Sequence, residues 1–280
     1  DFRTRLASRS RANGPMNPAA DSLWHRRNGP LFVEERSIDG DGTPQVFLHG
    51  FTQTSRSWDP YVALLDESTS MMRVDMPGHG LSTHIRADLP ATADLIAAQC
   101  GLGDYIGYSM GGRVALHVAL QHPQCVRRLV LISATAGIAN PDERQKRRSD
   151  DAVLADSIGE LGVPQFINQW LAQPMFSRLP TSQADVSDRS RNTVEGLAQS
   201  LRDSGTGSQE SLWGRLHELT MPVLLVVGEE DVKFCNIAHE MKGLIGSNAR
   251  LEMIAEAGHT VHLEQSQQVA ELLSGFLQVR

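Results

Sequence analysis

The chain has 280 residues, 40% of them hydrophobic and 21% charged, with a net charge of −7. That is enough apolar material for one large α/β domain or two small ones. An acidic chain suits nucleic acid poorly, and no apolar run approaches the ~20 residues of a membrane-spanning helix, so neither nucleic acid nor a membrane is expected as a partner.

Residues 1–30 carry six arginines against two acids, spaced by Gly, Pro, Asn and Ser. The stretch lacks the apolar segment of a secretory signal. It reads as a basic, flexible N-terminal extension with the natural start near Met16; a transit peptide or a basic arm is the alternative.

From Leu31 onward, strand-like and helix-like segments alternate. Gln45-Val46-Phe47-Leu48 is a short buried-type run that ends at His49-Gly50. Met71-Met72-Arg73-Val74-Asp75 is another, closed by Met76-Pro77-Gly78-His79-Gly80. Asp104 to Tyr108 leads into Ser109, and Val114 to Leu120 reads as a helix behind it. Arg128 to Ile132, Val223 to Val227 and Leu251 to Ile254 supply three more strands. Strands separated by helical segments imply crossover connections, hence a mainly parallel sheet covered by helices on both faces. From about Gly137 to Leu216 the alternation stops, leaving amphipathic helical segments dense in charge. A helical insertion between parallel strands sits over their carboxyl ends, where ligands of open α/β sheets bind. The expected division is therefore a core of residues 31–136 and 217–280 with a lid at 137–216. The cysteines Cys100, Cys125 and Cys235 are scattered and outside any CxxC spacing, as suits a reducing cytoplasm rather than a disulfide frame or a metal site.

Gly107-Tyr108-Ser109-Met110-Gly111-Gly112 contains G-x-S-x-G between a strand and a helix, the context in which the motif carries a nucleophile. The glycines are needed because the chain turns sharply there and a Cβ at either flank would clash. The turn lifts the Ser109 hydroxyl clear of the backbone and leaves the following N–H groups at a helix N-terminus, ready for an oxyanion. The Met110 amide is one candidate donor, and the Phe51 amide, in Leu48-His49-Gly50-Phe51 after an early strand, is the other. His49 is better read as a hydrogen-bonded structural histidine than as a base.

The remaining partners should follow in the order acid, then histidine. Gly228-Glu229-Glu230-Asp231 ends a strand, and Asp231 is preferred among the three acids on its motif position; a solvated acidic turn is the alternative. Ala257-Gly258-His259 follows the next strand, so His259 can take the Ser109 proton while Asp231 orients the ring. His262 is the rival, expected to pack or hydrogen-bond at the lid edge. The other histidines are expected on the surface or inside helices.

These motifs resemble the α/β-hydrolase superfamily over nearly all of residues 31–280. Within it, the chain is most similar to the 2-succinyl-6-hydroxy-2,4-cyclohexadiene-1-carboxylate synthases of menaquinone biosynthesis. The general motifs at Leu48 to Phe51, Asp75 to Gly80 and Gly107 to Arg113 are shared with many esterases and C–C hydrolases. More specific are Glu143-Arg144 with Arg147 and Asp151, and Gln169-Trp170 with Pro174 and Phe176. Gly196 to Arg202 running into Gly205 to Gln209, Gly228 to Phe234, and Gly258 to Gln265 extend the likeness. The resemblance implies a hydrolase fold with a helical lid, and a serine-triad enzyme that eliminates pyruvate from a polycarboxylated cyclohexene without a metal or organic cofactor. It also implies that Tyr108, Arg113, Arg147 and Trp170 contact the substrate. The Glu229-Glu230-Asp231 strand end and the basic extension depart from the family pattern.

The charge pattern agrees with a small carboxylated substrate, because arginine forks bind carboxylates bidentately and stay protonated. Arg113 follows the elbow, and Arg144, Lys146, Arg147 and Arg148 cluster in the lid. The alternative for that cluster is a solvated helix face paired with Asp142, Glu143, Asp150 and Asp151. Two other functions fit the same residues less well. A serine carboxylesterase or C–C hydrolase would show burst kinetics on activated esters and little dependence on Arg113. A non-catalytic receptor or scaffold of this fold would have little use for a complete triad.

Overall fold

The computed structural model describes residues 24–37, 42–66, 68–180 and 183–278. Eight strands form one sheet: β1 His25–Arg27, β2 Phe32–Arg36, β3 Gln45–Leu48, β4 Met71–Asp75, β5 Gly103–Tyr108, β6 Val126–Ile132, β7 Val223–Gly228 and β8 Ala249–Ile254. Their order is β1-β2-β4-β3-β5-β6-β7-β8. The first two strands run antiparallel to their neighbours, and every pair from β4 onward is parallel.

The described helices are α1 Asp59–Val62, α2 Leu89–Cys100, α3 Met110–Gln121, α4 Pro141–Leu161, α5 Val163–Leu171, α6 Gln183–Arg189, α7 Val194–Ser204, α8 Val232–Ile245, α9 Val261–Glu264 and α10 Ser266–Leu277. Asp88, Asn140 and Thr193 cap α2, α4 and α7 by accepting from backbone N–H groups of the first turn. One sheet face packs on α2, α3 and α8 through residues such as Ile96, Val114 and Met241. The other packs on α1, α9 and α10 through Tyr61, Val261 and Leu273. Strand β7, Val-Leu-Leu-Val-Val-Gly, is buried along its whole length because both its faces are covered.

Two strands lie where the sequence offered none. β1 falls inside the stretch read as a flexible extension, so the ordered sheet begins before Leu31; residues 1–23 of that extension lie outside the described residues. β2 hid its pattern behind Glu34, Glu35 and Arg36. The charges are explained by pairing: Glu34 sits opposite Arg73 of β4, and their side chains meet at 2.7 Å. Arg73 also bonds Asp59 and lies 4.2 Å from the centre of the Trp24 ring.

Between β6 and β7 the chain builds only helices among the described residues. Helices α4, α5 and α7 share a separate small core of Ala155, Ile158, Phe166, Ile167 and Leu197. This layer stands over the carboxyl ends of β3, β5, β7 and β8. Those ends lead directly into Phe51, Ser109, Asp231 and His259.

Candidate active site

Ser109 adopts φ 50° and ψ −108°, a backbone conformation that L-residues rarely take. The three glycines around it are forced by close approach. A Cβ on Gly107 would lie 2.3 Å from Gly111 O, one on Gly111 2.2 Å from Leu48 O, and one on Gly112 2.5 Å from the Ala134 Cβ. The Ser109 amide donates to Ile132 O at 2.9 Å, tying the elbow to β6.

His259 Nε2 lies 3.2 Å from Ser109 Oγ, and its Nδ1 lies 2.6 Å from Asp231 Oδ2. With Nδ1 donating to the carboxylate, Nε2 is left to accept from the serine hydroxyl. His259 is almost fully buried, with the Phe234, Tyr108 and Phe176 rings around it. Asp231 is also the N-cap of α8, accepting from Phe234 N at 3.3 Å, so the helix start fixes the carboxylate. Glu229 and Glu230 are exposed, and Glu230 pairs with Arg178 instead. Of the three acids, the structure brings Asp231 alone to the histidine.

The rival histidine is elsewhere. His262 is completely buried between Trp58 and Tyr108, with ring centroids 4.5 and 4.4 Å away, and among the described residues neither ring nitrogen has a partner. It packs in the core rather than at the lid edge, because α9 turns it inward. Burial pushes its pKa down to about 3. His49 is hydrogen-bonded and structural. Its Nδ1 donates to Gly50 O and its Nε2 accepts from Met76 N, at 2.9 and 3.0 Å, and burial lowers its pKa to about 4. His79 corrects the expectation for the remaining histidines. It is fully buried in a loop, burial and the adjacent His49 lower its pKa, and its Nε2 accepts from Thr52 N at 3.3 Å.

The amides of Phe51 and Met110 follow the ends of β3 and of the elbow. Neither donates to a protein acceptor among the described residues. Met110 opens α3, so its N–H also carries the positive end of the helix dipole.

Above the serine lies a cavity of about 820 Å³ whose walls include Tyr108, Arg113, Arg147 and Trp170 together with Ser109 and His259. The four candidate substrate contacts differ in how they are held. Tyr108 is buried, its hydroxyl 3.3 Å from Thr260 Oγ1. Trp170 stands edge-on to Phe51 at 5.2 Å, and its Nε1 is buried without a partner among the described residues. Arg147 is half-exposed and its Nε donates to Asp151 at 2.7 Å. Arg113 is 7% exposed, and the one hydrogen bond of its guanidinium among the described residues is a long 3.4 Å contact to Gln209 Oε1. Burial, then Arg147, press its pKa down to about 10 against the pull of Asp151, so it stays cationic at neutral pH. The lid cluster thus splits. Lys146 pairs with Asp150 on the surface and Arg148 is exposed, while Arg147 reaches the cavity.

Arg189, the last residue of α6, is a cavity-wall cation that the sequence did not reveal. It is 2% exposed and its Nη1 donates to Thr52 Oγ1. Nothing in Asp188-Arg189-Ser190-Arg191 separates it from Arg191, which pairs with Asp188 at 3.0 Å with its side chain substantially exposed. Among the described residues no cluster of His, Cys, Asp and Glu could hold a metal ion, and no helix is long and apolar enough to cross a membrane.

The family model described as "Alpha/beta hydrolase family" matches residues 45–272. A Bacillus subtilis (strain 168) protein named "Putative 2-succinyl-6-hydroxy-2,4-cyclohexadiene-1-carboxylate synthase" is 38% identical over 251 residues, covering 83% of this chain and 89% of that one. The synthase of the same name from Enterobacter sp. (strain 638) is 32% identical over 245 residues, covering 84% and 92%. The solved structure of MenH from S. aureus superposes with a TM-score of 0.82 at 31% identity, covering 88% of this chain and 97% of that one. The chain belongs to the alpha/beta hydrolase family, and within it is similar to the 2-succinyl-6-hydroxy-2,4-cyclohexadiene-1-carboxylate synthases.

Proposed function

We propose that this chain is a serine-triad lyase that eliminates pyruvate from a polycarboxylated cyclohexene to give 2-succinyl-6-hydroxy-2,4-cyclohexadiene-1-carboxylate, the product in its relatives' names. The observation that carries the reading is Arg113. A guanidinium is buried on the cavity wall, near the nucleophile, with no carboxylate bound to it among the described residues. Burying a cation without a partner is costly, and a substrate carboxylate would supply the missing one. Arg147 and Arg189 place two more cations on the same wall, an arrangement for which a neutral ester has no use.

In this reading Asp231 orients His259, and His259 removes the Ser109 proton. The serine oxygen takes a proton from a ring carbon, and the negative charge is drawn toward a substrate oxygen facing the Phe51 and Met110 amides. The ring then forms a double bond as its C–O bond to the enol-pyruvyl group breaks. The departing enolate takes the proton held by His259 and becomes pyruvate, while Ser109 keeps the proton taken from the ring carbon, so the hydroxyl and the neutral imidazole are both restored. Tyr108 and Trp170 shape the wall around the ring, and the Trp170 N–H is a donor awaiting an acceptor.

The test is pyruvate release from the enol-pyruvyl cyclohexene substrate, measured beside hydrolysis of p-nitrophenyl esters. Stoichiometric pyruvate, with kcat/KM far above that for the esters, supports the lyase. Ester turnover without pyruvate would replace it with a carboxylesterase.

A further inference from the structure

The turn that carries the Phe51 amide is held from the lid. Gly50 to Gln53 close a tight turn, with Gln53 N–H donating to Gly50 O at 3.2 Å. Its third residue, Thr52, is a buried β-branched residue at φ 70°. That position ordinarily requires glycine, and such a backbone persists only where neighbours fix it. Three neighbours do so. His79 Nε2 accepts from the Thr52 amide, Arg189 donates to the Thr52 hydroxyl, and Asn192 Nδ2 donates to the Thr52 carbonyl at 2.7 Å.

Asn192 lies between α6 and α7, is 5% exposed, and is not among the residues of the cavity wall. Its amide is fully used. Nδ2 also donates to Arg189 O at 3.0 Å, and Oδ1 accepts from Gly80 N at 2.8 Å. One planar group with both donor and acceptor ends therefore joins the lid to two core loops, which neither Asp nor Ala can do. The same corner is seated backbone against backbone. A Cβ on Gly78 would lie 2.5 Å from Gly196 O, and one on Gly196 2.4 Å from Gly78 O.

We propose that Asn192 is a positioning residue. By pinning the Thr52 carbonyl from the lid, it keeps the Phe51 N–H aimed at the charge that develops on the substrate. The inference rests on the serine chemistry proposed above. Without Asn192 the turn can relax to negative φ at Thr52, the Phe51–Thr52 peptide turns over, and the Phe51 amide drifts out of line.

The experiment compares wild type, Asn192→Ala and Asn192→Asp in the full chain, below the melting temperature of each. Asn192→Asp keeps the size and the acceptor for Gly80, so it guards against simple misfolding. Thr193→Ala is the control: it removes the α7 cap at the same corner, and Thr193 makes no hydrogen bond to Thr52 among the described residues. The readouts are the rate of Ser109 labelling by a neutral fluorophosphonate and the kcat and KM of pyruvate release. An oxyanion donor acts on charge formed during reaction, so both Asn192 variants should slow labelling and lower kcat by at least ~10-fold, with KM within about threefold of wild type. Thr193→Ala should lower the melting temperature but leave labelling within about twofold. Labelling or kcat near wild type in either Asn192 variant, kcat and KM changing together, or an equal loss in Thr193→Ala would overturn the positioning role. A wild-type protein that fails to label at Ser109 would overturn the serine chemistry itself, a different and distinguishable result.

Discussion

Around Ser109 the geometry is set by backbone: three glycines touch backbone or Cβ atoms at distances no side chain could tolerate, and Asp231 is fixed by a helix cap. Across the cavity the lid works by side chains, with Arg147 and Arg189 projecting from helices whose other faces pack or meet solvent. The contrast suggests a division of labour. The sheet edge supplies chemistry that any bound carbon acid or ester would meet, and the cations decide which substrate is bound. Changes on the sheet side should therefore lower turnover whatever the substrate. Changes to the cations should discriminate.

The largest effect belongs to the nucleophile. Ser109→Ala should lower turnover by at least ~10³ on every substrate while the melting temperature holds, because the triad acts through that oxygen. Comparable activity in a folded variant would break the sheet side of the comparison. Next comes the acid. Asp231→Asn should cost ~10² or more, since the histidine loses the partner that sets its tautomer. Glu229→Gln and Glu230→Gln should stay within about twofold by the same reasoning, both being exposed. A glutamate variant worse than the aspartate variant would reassign the acid.

How far the sequence revealed these two regions follows from what holds each one. The elbow was legible because steric demand leaves a residue signature: only glycine fits where Gly107 and Gly111 stand. Asp231 was legible by its position at a strand end, although two neighbouring acids looked chemically equal until the α8 cap separated them. β2 was not legible, because cross-strand pairing of Glu34 with Arg73 put charges where a period of two expects apolar residues. Arg189 was hidden for the opposite reason: its sequence surroundings look solvated, and only the fold buries it. The same holds for His79 and His262, whose burial is a property of loops and short turns rather than of periodicity.

Those buried histidines give a smaller effect, in stability rather than rate. Burial holds the folded-state pKa of His49, His79 and His262 well below the ordinary 6.5. Between about pH 6.5 and 4 the unfolded chain takes up protons that the folded chain refuses, so stability is complete above pH 6.5 and falls as the pH drops. The slope is ~1.4 kcal/mol per pH unit for each histidine. The His262 ring makes no hydrogen bond among the described residues, so His262→Leu can be tested without breaking one. Denaturant titrations at pH 7 and pH 5 should show the variant losing roughly 2 kcal/mol less than wild type over that interval. An unchanged acid loss would mean that His262 is protonated in the folded state.

The division between chemistry and selection is tested most directly by Arg113→Met, assayed on two substrates in one preparation. Hydrogen bonds to charged groups contribute roughly 1.5–3 kcal/mol, so kcat/KM for pyruvate release should fall about ten- to a hundredfold. Hydrolysis of p-nitrophenyl acetate uses the same Ser109 but no cation, and should change by less than about threefold. Arg147→Met should show a weaker form of the same bias, because Arg147 is half-exposed and already paired with Asp151. The ratio of the two losses in Arg113→Met cancels general damage to the fold. A large ratio is the expected result, and equal losses on both substrates would contradict the assignment of Arg113 to an anionic substrate.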